Sequence, residues 1–380
     1  MEYRENDLIR IARRFNNTKR NYLIVDPLQG KHIPVSPTAA LDAMSALGKK
    51  VSARYPDAGL VIGFAETATA VSAAIAAEYP GCRFVTTTRE PRYITDDAIY
   101  FSEEHSHAVT QVLNLNKQDL EGIDLSRIIL ADDEISTGKT MINMVDRLRE
   151  KFPELENTEF IAVSFINRTS YDDLRALFEK NIKCEALVFP RGRDFISEAD
   201  RYEVTAPSQG ILSNQSYADT TLDSDIMIPA KCTDMELYVS SCRRLAEEFI
   251  EKLSYKLHTQ KKILILGTEE FMYPALCTGR EIERRFPGHE IKFHANTRSP
   301  ICISSAVGYP IKNGFASESF YEKERTAYIY NARFYDGIYV MTDARDNTDS
   351  AMRYICGAFS KYGCTSYSLI HCRAAEDVIQ

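Results

Sequence analysis

Apolar residues in the first half of the chain come in short continuous runs, and each run is followed by a stretch with helical spacing. Runs such as 59–63 and 127–131 show no alternation of apolar and polar positions, whereas residues 140–152 place apolar side chains three and four positions apart. Continuous apolar strands separated by helices are typical of a parallel sheet covered on both faces. The pattern therefore predicts an α/β fold in which helices flank a parallel sheet. It also predicts helices over residues 7–15 and from Pro37 to Arg54.

The pattern stops in the middle of the chain and then starts again. Residues 206–232 are rich in Ser, Thr, Asp and Pro, after which residues 235–257 have the spacing of a long amphipathic helix and a second strand–helix series begins. A chain of 380 residues also exceeds the size at which one hydrophobic core is usual. We therefore predict a first domain at 1–205, a connection at 206–232 and a second α/β domain at 233–380.

The two α/β series share one layout. Residues 59–91 and 262–300 both run through an apolar strand, a glycine, a turn with glutamate, a helix, an aromatic-Pro-Gly triplet, a strand and Thr-Arg-x-Pro. Further on, Asp343 corresponds to Asp133, while a threonine takes the place of Asp132 and the Thr-Gly-Lys-Thr turn is lost. We interpret the second half as a degenerate copy of the first. Chance similarity between two α/β units is the alternative.

Composition narrows the class of protein further. Hydrophobic residues make up 44% and charged residues 26% of the chain, as in ordinary folded proteins, and the net charge of −8 argues against nucleic acid as the partner. The N-terminus lacks a secretory signal, and no apolar run approaches the ~20 residues that cross a bilayer. The nine cysteines are scattered without a Cys-x-x-Cys pair, which predicts buried thiols in a reducing compartment rather than disulfides or zinc sites. We therefore expect a cytoplasmic protein with no membrane partner.

The stretch ILADDEISTGKTM, residues 129–141, carries the candidate chemistry. An apolar strand ends at the adjacent carboxylates Asp132 and Asp133, and a hydroxyl-rich turn follows at the start of a helix. Backbone N–H groups at a helix N-terminus attract phosphate, and carboxylates accept strong hydrogen bonds from a vicinal diol. Together these features indicate a site for a ribose 5-phosphate. Only one glycine precedes the lysine, so the turn is not a Walker motif. The phosphate turn consists of Ser136, Thr137, Gly138, Lys139 and Thr140.

With these residues the sequence resembles the type I phosphoribosyltransferases, in particular the orotate phosphoribosyltransferase-like members. Their signature is four apolar residues, two acids, a short spacer and a Thr-Gly-rich turn, and residues 128–140 match it. The likeness extends to fused proteins of bacterial tellurite-resistance and stress gene clusters, whose C-terminal domain is named for a Thr-Arg-Ser-Pro motif. Here that motif is residues 297–300. The resemblance implies a type I phosphoribosyltransferase-like sheet followed by a TRSP domain.

The resemblance also implies transfer of a phosphoribosyl group from 5-phosphoribosyl 1-diphosphate (PRPP), with Mg²⁺ as the cofactor. Asp132 and Asp133 would hold the ribose hydroxyls, the turn 136–140 would hold the 5-phosphate, and Mg²⁺ would bind mainly through PRPP. The turn after the first core strand falls where the family binds pyrophosphate, and its glutamate is better suited to the water shell of the metal. The PRPP-binding residues of this turn would be Glu66, Thr67, Ala68 and Thr69.

The polar stretch 88–108 falls where the family has a mobile hood loop. Arg89 and Arg92 would clamp the departing pyrophosphate, and His105 or His107 would protonate it. The His-Ser-His sequence is also compatible with a metal pair or with plain surface residues.

Two features concern the acceptor. Purine-salvage members generally carry an aspartate before the Thr-Gly pair, where this chain has Ser136, and this favours an acceptor that is already anionic or easily deprotonated. Arg191 and Arg193 are candidates for binding a carboxylate on such an acceptor. Ordinary solvated arginines are the alternative.

The second domain is expected not to process PRPP, because only Asp343 is left of the acid pair. It would bind the acceptor, a product or a partner, or it would serve a structural role. Its candidate site comprises Glu269, Glu270, Tyr273, Thr297, Arg298, Ser299 and Asp343.

The sequence therefore predicts a glycosyltransferase of nucleotide metabolism that attaches ribose 5-phosphate to a base-like acceptor and releases pyrophosphate. The alternative is a PRPP- or nucleotide-binding regulatory protein of the same fold without turnover. A PRPP synthetase is disfavoured, because those enzymes keep the ribose-phosphate turn in the second copy. The expected partners are PRPP and a small-molecule acceptor, and a homodimer is compatible with this interpretation.

Overall fold

The computed structural model describes residues 2–16, 20–102 and 110–375. In these parts of the chain the helices are α1 Glu5–Leu8, α2 Pro37–Arg54, α3 Ala68–Ala76, α4 Lys139–Lys151, α5 Tyr171–Glu179, α6 Phe195–Asp200, α7 Met235–Thr259, α8 Tyr273–Arg285 and α9 Thr348–Ser360. The strands are β1 Arg10–Arg13, β2 Tyr22–Val25, β3 Leu60–Gly63, β4 Arg83–Thr86, β5 Ile99–Ser102, β6 Thr110–Leu113, β7 Arg127–Ala131, β8 Glu134–Ile135, β9 Glu159–Asn167, β10 Ile182–Val188, β11 Ala218–Ile226, β12 Thr233–Asp234, β13 Lys262–Gly267, β14 Glu290–Ala295, β15 Gly314–Glu318, β16 Thr326–Tyr330, β17 Gly337–Thr342 and β18 Tyr367–Ala374. None of the described helices combines the length and the apolar character needed to cross a bilayer.

The chain forms two compact units that alternate along the sequence. The first unit consists of Met1–Glu5, Asp42–Arg191 and Met227–Ser241, and the second of Asn6–Leu41, Gly192–Ile226 and Cys242–Gln380. The second unit thus includes an N-terminal segment and part of the expected connection. The sequential domain limits given above stay a prediction.

A parallel sheet forms the core of the first unit. Its strand order is β10-β9-β7-β3-β4, the short β12 adds to β4 in the antiparallel direction, and β8 also pairs with β9. All residues of β3 are buried, as are those of β7 after its first position, which is what continuous apolar runs predict. The apolar core on this sheet includes Ile128, Leu130 and Phe160 together with Met144 and Leu148 of α4.

The second unit contains its own parallel sheet. The strand order is β11-β18-β17-β13-β14, and every neighbouring pair is parallel. Its core includes Leu264, Leu266 and Val340 of the sheet and Met352 and Ile355 of α9. The antiparallel pair β1–β2 belongs to the same unit.

The two sheets repeat one topology. Four strands have the same order and direction in each unit, β9-β7-β3-β4 in the first and β18-β17-β13-β14 in the second. Between the second and third of these strands in chain order, each unit inserts an antiparallel hairpin, β5–β6 in the first and β15–β16 in the second. The shared topology supports the interpretation of the second α/β domain as a copy of the first.

The structure corrects one prediction of local structure and confirms another. Residues 7–15 are not a helix, since α1 ends at Leu8 and β1 then pairs antiparallel with β2. The contacts that β1 makes with the apolar strand β2 favour a strand here more than the short helical pattern favours a helix, because strand formation depends on cross-strand contacts. The expected connection contains β11, an edge strand of the second sheet. The helix from Pro37 to Arg54 is confirmed.

Candidate functional site

Three strand ends of the first unit meet at one edge of its sheet. Gly63, the last residue of β3, pairs with Thr86 of β4 on one side and with Ala131 of β7 on the other. Because these strands are parallel, the segments that follow them leave the sheet at the same edge, where ligands bind in open α/β sheets. The segments are 64–69, 87–92 and 132–140.

The two acids directly follow β7 and are half-buried. The backbone N–H of Asp132 donates to the carbonyl of Val163 at 2.9 Å, so the hydrogen bonding of the sheet continues to this residue. The N–H of Asp133 donates to the Asp132 carboxylate at 2.8 Å. The acid pair is therefore fixed at the end of a central strand.

The phosphate turn closes at Gly138, which precedes α4 and adopts a φ of +75°. A Cβ atom at this position would lie 2.6 Å from Cδ1 of Leu177, so both the backbone and the available space require glycine. The Thr137 hydroxyl accepts a hydrogen bond from the N–H of Lys139 at 3.4 Å. A turn of this kind at the N-terminus of a long helix attracts an anion.

The turn between β3 and α3 is buried, in contrast to the acid pair. Residues 66–69 are all less than a tenth exposed. Two residues that the sequence did not reveal hold its backbone. The Thr87 hydroxyl accepts from the N–H of Ala65 at 2.8 Å, and the Gln111 amide donates to the Ala65 carbonyl at 3.0 Å. Thr87 also donates to the side-chain oxygen of Gln111, so we call these two residues the amide clamp.

The structure describes only part of the predicted hood. Arg89 follows the end of β4 and is half-buried. Arg92 is exposed, and its guanidinium carbon lies 4.4 Å from the centre of the Tyr93 ring. His105 and His107 lie outside the described residues.

The two acceptor candidates fall in different compact units. The Arg191 guanidinium donates to the hydroxyl of Tyr171 at 3.0 Å and lies over its ring. Arg193 forms a two-point ion pair with Glu198, at 2.7 and 2.9 Å, and these bonds hold the pKa of Glu198 below its usual range. Arg193 is thus engaged within the second unit, whereas Arg191 belongs to the same unit as the acid pair.

The second unit repeats this local geometry. The N–H of Glu269 donates to the side-chain oxygen of Asn296 at 2.9 Å, just as the N–H of Ala65 donates to Thr87 in the first unit. In both copies the threonine of Thr-Arg-x-Pro accepts a hydrogen bond from the N–H two positions later, at 3.0 Å in the first and 3.2 Å in the second. Both threonines also pair with a strand of the following hairpin.

A buried ion cluster takes the place of the amide clamp in the second unit. Glu269 is fully buried and stands where the first unit has Ala65. Its carboxylate accepts from Nε of Arg298 at 2.7 Å, from Nη2 of Arg325 at 3.0 Å and from the Ser319 hydroxyl. Arg325 and Ser319 were missed in the sequence, because they lie 56 and 50 positions from Glu269.

The remaining second-unit candidates adjoin this cluster. Asp343 follows β17 and accepts from the Tyr321 hydroxyl at 2.6 Å, and the N–H of Tyr321 donates to Ser319 of the cluster. Thr342, in the place of the first acid, is fully buried and its hydroxyl accepts from Thr268 at 2.9 Å. Gly267 of β13 pairs with Met341 of β17, just as Gly63 of β3 pairs with Ala131 of β7. This register aligns Thr342 with Asp132, as the sequence comparison does.

Three further predicted residues lie after β13 or in the Thr-Arg-Ser-Pro motif. Glu270 lies 3.7 Å from the Arg298 guanidinium. Tyr273 begins α8, where burial raises the pKa of its hydroxyl. Ser299 accepts the Tyr330 hydroxyl on its carbonyl at 2.8 Å. In the described parts of the chain no three His, Cys, Asp or Glu side chains are grouped so that they could hold a metal ion.

Comparison with known families decides what this pair of units is. A family model described as phosphoribosyl transferase matches residues 8–190, and a model for the TRSP domain that lies C-terminal to it matches residues 238–357. Residues 8–190 therefore form a phosphoribosyl transferase domain, and residues 238–357 form a TRSP domain. The fold class inferred from the strand pattern and the family inferred from the acid pair are thereby confirmed.

Individual proteins are only distantly similar. Among curated proteins, none matches the chain. Solved structures with a similar fold include an adenine phosphoribosyltransferase from Giardia lamblia complexed with 9-deazaadenine, with 20% identity, a TM-score of 0.34, and coverage of 47% of this chain and 93% of that one. Another is the orotate phosphoribosyltransferase from Aeropyrum pernix, with 15% identity, a TM-score of 0.29, and coverage of 52% and 95%. Likenesses this low bear on neither substrate nor mechanism.

Proposed function

We propose that the first unit transfers the phosphoribosyl group of PRPP to an acidic, base-like acceptor and releases pyrophosphate. The observation that supports this proposal best is the meeting of an acid pair, a phosphate turn and a clamped, buried turn at one sheet edge in a chain of this family. PRPP carries ribose hydroxyls, a monophosphate and a pyrophosphate, so each of its polar parts has a counterpart in the site.

Asp132 and Asp133 would accept hydrogen bonds from the ribose hydroxyls, since bonds to a charged acceptor are short and strong. The turn 136–140 would bind the 5-phosphate at the start of α4. The turn 66–69 would bind pyrophosphate through backbone N–H groups and threonine hydroxyls. Because the amide clamp fixes this turn in advance, little reorganisation is needed during the reaction.

In the proposed reaction an acceptor atom forms a bond to C1 of the ribose. The bond from C1 to the pyrophosphate oxygen breaks, and its electron pair leaves with pyrophosphate. Positive charge develops on the sugar, so groups that stabilise the departing pyrophosphate lower the barrier. Arg89 and Arg92 would supply such charge, and proton donation by His105 or His107 stays a prediction.

The residues present fit a Mg²⁺ ion that is bound mainly through PRPP. Mg²⁺ prefers oxygen ligands and keeps several waters, and this edge of the sheet offers the carboxylates of Glu66, Asp132 and Asp133. When bound, Mg²⁺ would neutralise charge on the pyrophosphate.

The acceptor is the least defined part of this proposal. Ser136 stands where purine-salvage members carry a proton-accepting aspartate, so an acceptor that is already anionic is favoured. Of the two arginine candidates we favour Arg191, because the guanidinium of Arg193 is already paired with Glu198. Roles in tellurite resistance and stress response also stay predictions.

A matched pair of variants tests the PRPP site. Calorimetry with Mg²⁺ should show that Asp132→Asn combined with Asp133→Asn weakens PRPP binding by at least about tenfold, because each charge-assisted hydrogen bond contributes ~1.5–3 kcal/mol. Asp343→Asn makes the corresponding change in the second unit and should leave PRPP binding unchanged. Equal losses in both proteins would contradict the assignment of the site to the first unit.

Pyrophosphate release then distinguishes an enzyme from a regulatory protein. The protein is incubated with PRPP and Mg²⁺ and a panel of bases and small acids. Turnover with any acceptor supports the transferase. PRPP binding without turnover across the panel favours a PRPP-binding regulator of the same fold.

A further inference from the structure

A separate cavity of about 370 Å³ lies within the second unit. The hairpin β15–β16, the segment 206–210 and helix α9 contribute its lining. The segment is hydrogen-bonded to the hairpin, since the N–H of Ser208 donates to the Gly314 carbonyl at 2.8 Å and the N–H of Ala316 donates to the Ser208 carbonyl at 2.9 Å. The volume falls in the range of small-molecule sites, ~300–1,000 Å³.

Aromatic side chains form the apolar walls of this cavity. Phe15, Tyr328 and Tyr354 line it, and all three are half-buried. Tyr328 is stacked on Tyr330 with an angle of 11° between the rings, and its backbone pairs with Thr297 of the Thr-Arg-Ser-Pro motif. Flat walls of this kind suit a planar aromatic ligand.

Glu318 contributes a carboxylate to the polar lining. Its side chain lies on the same face of the hairpin as that of Tyr328, because Tyr328 pairs with Ala316 and side chains alternate along a strand. The Glu318 carboxylate accepts from Nδ2 of Asn347 at 3.3 Å and can accept further hydrogen bonds.

The cavity is not an anion site, although Arg325 lines it. The Arg325 guanidinium donates to the buried carboxylate of Glu269 and lies 2.8 Å from the Glu322 carboxylate, so two acids already balance its charge. Glu318 and Glu324 also line the cavity. The charged groups around it therefore carry more negative than positive charge.

We propose that this cavity binds an amino-substituted planar nitrogen heterocycle, as a free base or a nucleoside without phosphate. The ring would lie against the aromatic walls, and the amino group would donate to Glu318. A phosphate would be repelled by the surrounding carboxylates. The Thr-Arg-Ser-Pro motif would then help to position two lining residues. Thr297 pairs with Tyr328, and Arg298 shares the Glu269 carboxylate with Arg325. This site does not depend on the transfer reaction proposed for the first unit.

The test uses the full-length protein with Asp132→Asn and Asp133→Asn, in the absence of PRPP, and measures nucleoside binding by calorimetry. Adenosine and cytidine are the probes. Purine riboside and pyrimidin-2-one riboside are their matched controls, because each lacks the amino group and gains no ring N–H in its place, and adenosine 5′-monophosphate adds a phosphate. Adenosine or cytidine should bind about tenfold or more tightly than its control, and the monophosphate should bind more weakly than adenosine.

Site variants locate the binding. Glu318→Gln keeps the shape and removes the charge, and it should weaken binding of the amino probe by about tenfold. Glu290→Gln removes the charge of a glutamate that pairs with Arg333 and does not line the cavity, so it should have no effect. Thermal melting checks that each variant is folded. Tyr354→Leu, which removes an aromatic wall of the cavity and should weaken binding severalfold, replaces Glu318→Gln if that protein does not fold.

Three results would overturn the proposal. The first is that neither amino probe binds with millimolar or tighter affinity. The second is that purine riboside or adenosine 5′-monophosphate binds as tightly as adenosine. The third is that Glu290→Gln weakens binding as much as Glu318→Gln does. Because the acid pair is already removed, none of them depends on whether the first unit is a transferase.

Discussion

Replacing Gly138 by alanine tests whether the phosphate turn requires a glycine at the start of α4. The residue has a φ of +75°, and a new Cβ would lie 2.6 Å from Cδ1 and 2.9 Å from Cδ2 of Leu177. Leu177 is fully buried in the apolar core, so it has little room to move. The left-handed backbone costs ~1–2 kcal/mol and the crowding ~1–3 kcal/mol. The free energy of unfolding should therefore fall by ~2–5 kcal/mol.

Gly122→Ala is the matched control in the same unit. Gly122 has a φ of +77°, but apart from its chain neighbours no atom of the described residues would lie within 4 Å of a Cβ added there. Alanine should therefore cost only ~1–2 kcal/mol. Urea unfolding followed by circular dichroism gives both losses. Calorimetry with PRPP and Mg²⁺ on the folded proteins should show weaker binding for Gly138→Ala alone, because only that substitution displaces the phosphate turn.

Two results would refute this reasoning. Equal stability losses at the two glycines would mean that Leu177 yields without cost and that crowding plays no part. If Gly138→Ala shows the expected loss of stability but binds PRPP as tightly as the wild type, the turn is not part of the PRPP site.

Three other predictions concern the amide clamp, the buried ion cluster and one titrating carboxylate. Gln111→Leu removes the amide that holds the Ala65 carbonyl, so PRPP affinity measured by calorimetry should fall by about tenfold, and unchanged affinity would contradict a role for the clamp. Glu269→Gln leaves two arginines without their buried carboxylate and should lower the free energy of unfolding in urea by ~3–5 kcal/mol. Glu281→Gln, which breaks partly exposed helix pairs, should cost ~1 kcal/mol or less, and similar losses in the two proteins would argue against the cluster. Burial raises the pKa of Glu248, but hydrogen bonds from a serine, a backbone N–H and a lysine outweigh it and lower the pKa from 4.5 to about 2. Because the pKa of Glu248 is lower in the folded than in the unfolded protein, its stabilisation is complete above about pH 4.5 and is lost towards pH 2. The difference in urea midpoint between wild type and Glu248→Gln should therefore shrink as the pH falls. A difference that stays constant with pH would exclude this effect.

The predictions agree with the structure for strands and helices that depend mainly on residues close together in the sequence. The apolar run at 127–131 and the helix that follows the phosphate turn agree with β7 and α4. The helix expected at 7–15 was wrong, because β1 exists only through its pairing with β2. The amide clamp was missed for a similar reason, since nothing local to Gln111 indicates that it contacts a turn 46 positions earlier.

The sequence by itself determined the succession of strands and helices, the acid pair at a strand end and the glycine that closes the phosphate turn. Each of these depends on residues within a few positions of one another. Only the tertiary structure decided which strand ends lie side by side, with Gly63 between Thr86 and Ala131, and which distant side chains neutralise Glu269. Sheet register and buried ion pairs form when long loops close and distant segments pack together, so no local pattern specifies them.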